Sequence, residues 1–132
     1  MHPYVVYWYQ EMKTYGDYIM ITIHQIQLTN DQIDAVNAGE TVPAFEAKNK
    51  LSIFGADKFD SKMFSMFTEA YTVATTRLEQ AFEWTNLWNR QDMVEAIGDR
   101  NHSSSVGDIF ELNGEFFLCS NFGFKQIKVE AV

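Results

Sequence analysis

The sequence contains a single cysteine, Cys119, in 132 residues, which excludes an intramolecular disulfide. Its neighbours Phe116, Phe117 and Leu118 predict an apolar strand in which the thiol packs as a small hydrophobic group. Unpaired cysteine is typical of a reducing compartment. The first residues lack the basic segment and cleavage site of a signal peptide, and no apolar run is long enough to span a bilayer. We therefore expect a soluble, cytoplasmic protein.

Basic residues are scarce, with ten Lys and Arg against eighteen Asp and Glu and a formal net charge of −8. Binding to a phosphate backbone needs basic groups that displace its counterions, so the composition argues against direct binding to DNA or RNA. The carboxylates are scattered rather than grouped in runs, which is typical of a solvated surface. A weaker alternative is an acidic surface that imitates nucleic acid toward a nucleic-acid-binding protein.

The motifs of metal and nucleotide sites are missing as well. The three histidines, His2, His24 and His102, lie far apart, and neither H-x-x-x-H nor C-x-x-C occurs, so no metal site is predicted. Neither a Walker A loop nor G-x-G-x-x-G occurs, which argues against the usual phosphate-binding loops. We expect no cofactor.

Aromatic side chains are abundant, with eleven Phe, six Tyr and three Trp. A domain this small is not expected to bury all twenty, and an exposed apolar patch is typical of a partner surface. Trp84 and Trp88 are four residues apart and would form one patch on a helix, while Trp8 belongs to a predicted strand with aromatics on both faces. These tryptophans are either buried or part of a surface for another protein or a second copy of the chain.

Hydrophobic periodicity predicts one α+β domain over residues 1–132, with an antiparallel sheet of five or six strands and three or four short helices. Capping boxes at Thr29 and Thr76 indicate where the two clearest helices begin. The apolar phase of the second strand reverses near His24, which suggests a bulge. Strands are predicted over residues 4–11, 18–28, 69–75 and 126–132, the first two as a hairpin, and helical segments over 30–38, 44–51, 57–67, 77–86 and 91–97.

The strongest local signal lies in residues 108–119, which predict a β-hairpin. The Asn-Gly pair at 113–114 is typical of a type I′ turn. A two-residue loop places Phe110 opposite Phe117 and makes both faces of the ribbon apolar. The hairpin is therefore expected either at the centre of the core or at an interface.

Two segments carry a resemblance to known proteins. Residues 71–86 (YTVATTRLEQAFEWTN) combine a strand with a capped helix, and residues 103–108 (SSSVGD) precede the hairpin and a Phe-Gly-Phe run at 122–124. Together they resemble the YodL-like proteins and related uncharacterised proteins of bacteria, phages and mobile elements. The resemblance covers residues 69–127 and implies an accessory protein of a phage or mobile element. It implies no catalytic residue, because the family pattern does not define one.

The richest polar cluster lies between Asp99 and Asp108. A histidine, a serine and an aspartate could supply base, nucleophile and orienter, but groups so close in sequence rarely reach that geometry, and no G-x-S-x-G motif occurs. A polar loop in which Asp108 accepts hydrogen bonds and fixes the entry of the next strand is the favoured interpretation. If the loop instead binds a ligand, the candidate residues are Arg100, His102, Ser103, Ser105 and Asp108, with Asn86 at the nearby helix end.

The acidic charge, the aromatic excess and the lack of a catalytic motif favour a non-enzymatic accessory protein that acts by binding another protein. A homodimer is a further hypothesis. The alternative is a small enzyme or ligand-binding domain centred on the 100–108 loop. That alternative predicts a concave pocket into which Arg100 and His102 point.

Overall fold

A computed structural model describes residues 14–15, 18–87 and 89–130 and contains two antiparallel sheets. The smaller sheet pairs β1 (Thr14–Tyr15) with β2 (Tyr18–Ile19). The larger has six strands: β3 (Ile21–Gln25), β4 (Thr68–Val73), β5 (Val94–Ala96), β6 (Ile109–Leu112), β7 (Glu115–Ser120) and β8 (Gly123–Ile127). Their spatial order is β5-β4-β3-β6-β7-β8, and every neighbouring pair is antiparallel.

The described residues also form three α-helices and three 3₁₀ segments. The α-helices are α1 (Asn30–Asn37), α2 (Pro43–Phe54) and α3 (Leu78–Leu87). The 3₁₀ segments are Gly55–Lys58, Ser61–Met66 and Gln91–Met93. The predicted α+β class with a six-stranded antiparallel sheet is confirmed. No helix in the described ranges is long and apolar enough to cross a membrane.

Helix α1 begins as its sequence predicts. The Thr29 hydroxyl accepts a hydrogen bond from the Gln32 N–H at 3.1 Å, and the Gln32 side chain accepts one from the Thr29 N–H at 2.8 Å. These two bonds complete the predicted capping box. Gly39 follows the helix with φ +82°, a conformation that favours glycine, so the predicted end is also correct.

Four helical predictions need correction. Helix α3 begins later than predicted, and Thr75 rather than Thr76 accepts a hydrogen bond from the Arg77 N–H, at 3.1 Å. The 57–67 segment forms short 3₁₀ turns instead of one helix. Only residues 91–93 of the 91–97 segment are helical, because Val94–Ala96 pair with the outer edge of β4 and extend the sheet. Helix α2 is longer than predicted and reaches Phe54.

Strand β3 lies near the middle of the sheet and is buried along its whole length. The reversal of the apolar phase near His24 therefore does not mark a change in which face of β3 is buried, because both faces of the strand are covered. The predicted bulge exists, and the register shifts between Ile23 and His24. The extra residue, Ala70, belongs to the partner strand β4, since Ile23 pairs with Tyr71 and His24 with Glu69.

Apolar clusters cover the two faces of the sheet. Helix α3 covers one face, where Ala81 and Trp84 pack with Ile23 and Phe110 from the strands. Cys119 belongs to this cluster, as predicted for a packed thiol. On the opposite face Leu51 of α2 packs against the remaining buried apolar residues of the hairpin, Ile109 and Leu118, and partly buried Phe59, Phe64 and Phe67 extend that cluster.

The predicted hairpin is confirmed. Phe110 pairs with Phe117 and Ile109 with Leu118, and Phe110 and Ile109 are both fully buried. Asn113 and Gly114 have φ values of 56° and 78°, as a type I′ turn requires. Because adjacent residues of β6 contact opposite clusters, the hairpin lies at the centre of the core. The predicted strand at 4–11 lies outside the described residues, and the last strand spans Gly123–Ile127 rather than 126–132.

The turn gives a test of this backbone. Gly114→Ala should lower the free energy of unfolding by about 1 kcal/mol, because nothing lies within 4 Å of an added Cβ and only the left-handed φ opposes it. Asn113→Gly, the matched control, should leave stability unchanged or slightly higher. Urea unfolding of both variants measures the difference, and equal stabilities would contradict the type I′ turn.

Candidate functional site

The bulged residue of β4 holds the start of the 100–108 loop. The Ala70 carbonyl accepts hydrogen bonds from the Ile97 N–H at 2.8 Å and from the Asn101 side-chain amide at 3.1 Å. A bulged residue is left out of the regular ladder, so its carbonyl can serve the loop. The loop therefore begins at a fixed point on the sheet.

The Gln25 side chain is fully buried at the end of β3 and hydrogen-bonds the middle of the loop. Its Nε2 donates to the His102 carbonyl at 2.7 Å and to Asp108 Oδ2 at 2.9 Å. Its Oε1 accepts from the His102 N–H at 3.1 Å. The Tyr71 hydroxyl donates to the same His102 carbonyl at 2.9 Å. Two side chains of the central strands thus fix the His102 backbone.

Asp108 closes the loop and starts β6, as the favoured sequence interpretation expects. It is 3% exposed, and its Oδ2 also accepts a hydrogen bond from the Ser105 N–H at 3.0 Å. Its own N–H donates to the Ser105 carbonyl, and its carbonyl accepts from the Cys119 N–H. Burial raises the pKa of the Asp108 carboxyl to about 6, against the opposing effect of the bonds from Gln25 and Ser105 and the nearby charges of His102 and Lys48.

The His102 ring faces helix α2. Lys48 Nζ lies 3.4 Å from His102 Nε2, and His102 Nδ1 lies 3.0 Å from the Ser103 carbonyl. An ammonium group can only donate, so Nε2 accepts and the proton sits on Nδ1, where it is donated to the carbonyl.

A second set of contacts fixes the other side of the loop to α3. Ser104 is 3% exposed, and its hydroxyl hydrogen-bonds the Thr85 hydroxyl, which also donates to the Ala81 carbonyl. Asn86 Nδ2 donates to the Ser104 carbonyl at 3.1 Å and to the Phe82 carbonyl at 2.8 Å. The structure thus brings the predicted residue Asn86 to the loop. Its role there is to hold the loop backbone.

The remaining predicted loop residues face outward. Arg100 is exposed and donates from Nη2 to Asn30 Oδ1 of α1 at 2.6 Å. Ser103 and Ser105 are also exposed. Near the loop exit, Gly107 has φ +99°, and an added Cβ would lie 3.3 Å from Ser52 Oγ, so α2 packs tightly there.

These contacts do not assemble a nucleophile, a base and an orienter. The Asp108 carboxylate bonds Gln25 and the Ser105 backbone, and the recorded partners of the His102 ring are Lys48 and a carbonyl oxygen. Neither Arg100 nor His102 lines the cleft at Met20 and Met93, the cleft at Phe122 or the cleft at Phe124. In the described part of the chain, no group of three or more His, Cys, Asp or Glu side chains is placed to hold a metal ion.

The tryptophans predicted as a partner surface lie partly in the core and partly outside the described residues. Trp84 is 7% exposed, belongs to the α3 cluster, and carries the Arg90 guanidinium 5.3 Å from its ring centre. The buried alternative therefore holds for Trp84. Trp8 and Trp88 lie outside the described residues.

Three of the five large apolar side chains that are exposed among the described residues lie together on another surface. Ile53 is 67% exposed, Phe54 60% and Phe122 95%. All three line one cleft of about 300 Å³, which we call the Phe122 cleft. The other lining residues are 52, 55–57, 106, 120, 121 and 125.

The sequence carried one signal for this surface that the prediction did not use. Asn121 and Phe122 form the two-residue turn between β7 and β8, since Ser120 pairs with Gly123. A side chain in such a turn has no sheet face to cover, so a phenylalanine there projects into solvent. Glycine and asparagine are the usual residues of such turns.

A second cleft, of about 290 Å³, lies near the same turn, beside α3. Phe82, Phe124 and Cys119 contribute to its lining. Burial, and secondarily the charge of Asp108, raises the pKa of the Cys119 thiol to about 12, so the group is a neutral thiol at physiological pH. It is a poor nucleophile in this state.

No protein-family model, curated protein or solved structure matches the chain. The resemblance of residues 69–127 to the YodL-like proteins therefore stays a prediction.

The loop network predicts a large effect of one buried amide. Gln25→Leu should lower the free energy of unfolding by about 3 kcal/mol, because it leaves the His102 N–H without its partner and removes the hydrogen bond from Gln25 to the buried Asp108 carboxylate, which keeps only the bond from the Ser105 N–H. Ser103→Ala, which alters an exposed hydroxyl of the same loop, should change stability by less than about 0.5 kcal/mol. Chemical denaturation compares the two variants, and similar losses of stability would contradict the proposed role of the Gln25 hydrogen bonds in holding the loop.

Asp108 predicts a pH dependence of stability. Its folded pKa of about 6 lies above the ordinary 3.8, so the folded chain holds the proton more tightly than the unfolded chain. The contribution of Asp108 to stability is therefore largest below pH 4 and falls by about 3 kcal/mol as the pH rises from about 4 to about 6. The free energy of unfolding is measured for the wild type and Asp108→Asn across this window, and the difference between the two proteins should change by this amount from its lower to its upper end. Parallel curves would contradict the assignment.

Proposed function

We propose that the protein is a non-enzymatic binding protein that engages another protein through the Phe122 cleft. The observation that carries this proposal is the grouping of exposed apolar side chains. Five large apolar side chains are exposed among the described residues, and Ile53, Phe54 and Phe122 surround one cleft. Scattered exposed apolar residues are ordinary, whereas a cluster around a concavity is typical of a binding surface.

The polar loop supports the same conclusion, because its buried polar side chains are engaged within the protein and not free for a ligand. The side chains of Gln25, Asn86 and Asp108 are occupied in holding backbone groups of the loop or its neighbours. A catalytic site needs polar groups aimed at a bound molecule. The loop groups hydrogen-bond the protein itself, so the Phe122 cleft with its exposed apolar side chains is the stronger candidate for recognition.

The cleft is suited to an apolar anchor of a partner. Aromatic side chains that are already held by a rigid scaffold lose little conformational freedom when a partner covers them. Phe122 projects from a two-residue turn between paired strands, and Phe54 ends α2 just before Gly55. Both rings are therefore presented by short, fixed connections.

The wider biological context remains part of the proposal. The resemblance to YodL-like proteins supports an accessory role in a phage or mobile element, and the single cysteine supports action in the cytoplasm. In that setting the protein would act on a host or phage protein by occupying one of its surfaces. The net charge of −8 argues that this partner is reached directly rather than through DNA or RNA.

Substitution of the two aromatic residues tests the surface. The double variant Phe54→Ser and Phe122→Ser should lose a captured partner by at least about tenfold, because each ring contributes apolar area that serine does not. Leu87→Ser is the matched control, since Leu87 is 65% exposed on α3 and does not line the cleft.

The measurement is quantitative affinity capture from cell lysate, followed by titration of the purified partner against the same three proteins. Circular dichroism and thermal unfolding establish that each variant is folded. A partner that the double variant retains as well as the wild type would overturn the proposed surface. Equal loss by Leu87→Ser would do the same.

A further inference from the structure

The β7–β8 turn separates two clefts that share part of their walls. Val106, Ser120 and Asn121 line both the Phe122 cleft and the cleft of about 290 Å³ beside α3, which we call the α3 cleft. The other residues that line the α3 cleft are 79, 82, 119, 123 and 124. Its mouth is accessible, because Glu79 and Asn121 are exposed. A partner that covers Phe122 therefore lies next to the α3 cleft, and another of its side chains can reach into that cleft.

The two clefts differ in charge. The Phe122 cleft has a carboxylate and an ammonium among its lining residues, Asp57 and Lys125, so its charges offset each other. Glu79 is the only charged residue among the described residues that line the α3 cleft, and it forms no ion pair with another described residue. Lys125 follows Phe124 in β8, and successive strand residues point to opposite faces of the sheet. The α3 cleft is therefore the negative one.

Helix α3 adds no positive charge to this cleft. Its residues Leu78–Leu87 include two glutamates, Glu79 and Glu83, and no basic residue. Arg77, which precedes the helix, is exposed and does not line the cleft. The chain as a whole carries a net charge of −8, so its long-range field also favours the approach of a positively charged group.

Two aromatic rings contribute to the walls of the α3 cleft. Phe82 comes from α3 and Phe124 from β8, and both are partly buried against the core. The Phe124 ring packs edge-on against the buried Phe110, with 4.9 Å between the ring centres, which holds it in place. Aromatic rings attract cations, and arginine is the most frequent cation in such contacts because its planar guanidinium also stacks on a ring. A carboxylate and two phenylalanine rings in one cleft therefore favour arginine over an apolar or acidic side chain.

We propose that the protein partner inserts an arginine side chain into the α3 cleft while it covers Phe122. The guanidinium pairs with the Glu79 carboxylate and lies against Phe82 and Phe124. The apolar contact at Phe122 supplies most of the affinity, and the arginine selects among partners. This inference rests on the proposed function and adds the chemistry of the partner.

Selection from a random peptide library against the whole chain tests the inference. Enriched peptides should combine an apolar residue with an arginine. Their synthetic forms should bind about tenfold more tightly than the same peptides with citrulline, which keeps the shape of arginine without its charge. In NMR spectra, binding of the arginine peptides should shift the amide signals of Gly123 and Phe124. Selection without arginine, equal affinity of the two forms, or shifts confined to other parts of the chain would overturn the inference.

Two glutamates of the same helix provide a matched pair of variants. Glu79→Gln should reduce the preference for arginine over citrulline to about twofold or less, because it keeps the shape of the side chain and removes its charge from the cleft. Glu83→Gln changes the net charge equally at an exposed position of α3 that does not line the cleft, and it should keep the preference. A preference that both variants lose, or that both keep, would contradict the role of Glu79.

The two proposals fail in different ways. If the captured partner is lost on Phe54→Ser with Phe122→Ser but binds wild type and Glu79→Gln equally, the proposed function stands and the arginine is wrong. If the arginine peptides bind this double variant as tightly as the wild type, the single interface across both clefts is wrong.

Other occupants of the α3 cleft give distinct results. A wild-type dimer in sedimentation that Glu79→Gln dissociates would assign the cleft to a second copy of the chain and overturn the inference. Binding of N-acetylarginine amide as tight as that of the peptides would assign it to a small organic cation, with the same consequence.

Discussion

The buried amide of Gln25 is the interaction on which the polar half of the structure depends. It lies in the central strand, while the backbone groups it bonds belong to a loop 77 residues further along the chain. An amide without partners in this position would be costly, and here both its oxygen and its nitrogen are bonded. The loop is polar in composition, and Asp108 and Ser104 are buried while Arg100, Ser103 and Ser105 are exposed.

Because of this arrangement, the polar residues whose pattern suggests a catalytic site differ from the exposed residues that are available to bind another molecule. Histidine, serine and aspartate close together in sequence attract a catalytic interpretation, yet the carboxylate of Asp108 and the backbone of His102 are committed to holding the loop. The features left free are apolar and lie where strands and helices turn, at Phe54 and Phe122. Recognition through such a surface, as proposed above, would need no titratable group.

Local signals predicted the elements that local chemistry determines. The capping box at Thr29 and the Asn-Gly turn at 113–114 work through residues close in sequence, and both are confirmed. The 91–97 segment was mispredicted because β4 offers it a free edge, which no window of sequence shows. For the candidate site, the strand-entry role of Asp108 was predictable. The hydrogen bonds from Gln25 to the loop were not predictable, because no local sequence pattern indicates which distant residues a glutamine in a strand will contact.

The position of Cys119 makes its thiol a natural reporter of local opening of the structure. As the sole thiol, buried and with a pKa of about 12, it is shielded from alkylating reagents while the sheet is closed. The thiol packs in the α3 cluster and contributes to the cleft beside that helix, so a local opening there would expose it. The rate at which the unmodified protein reacts with such a reagent would therefore equal the opening rate when reaction is faster than closing, and would be proportional to the opening equilibrium when reaction is slower.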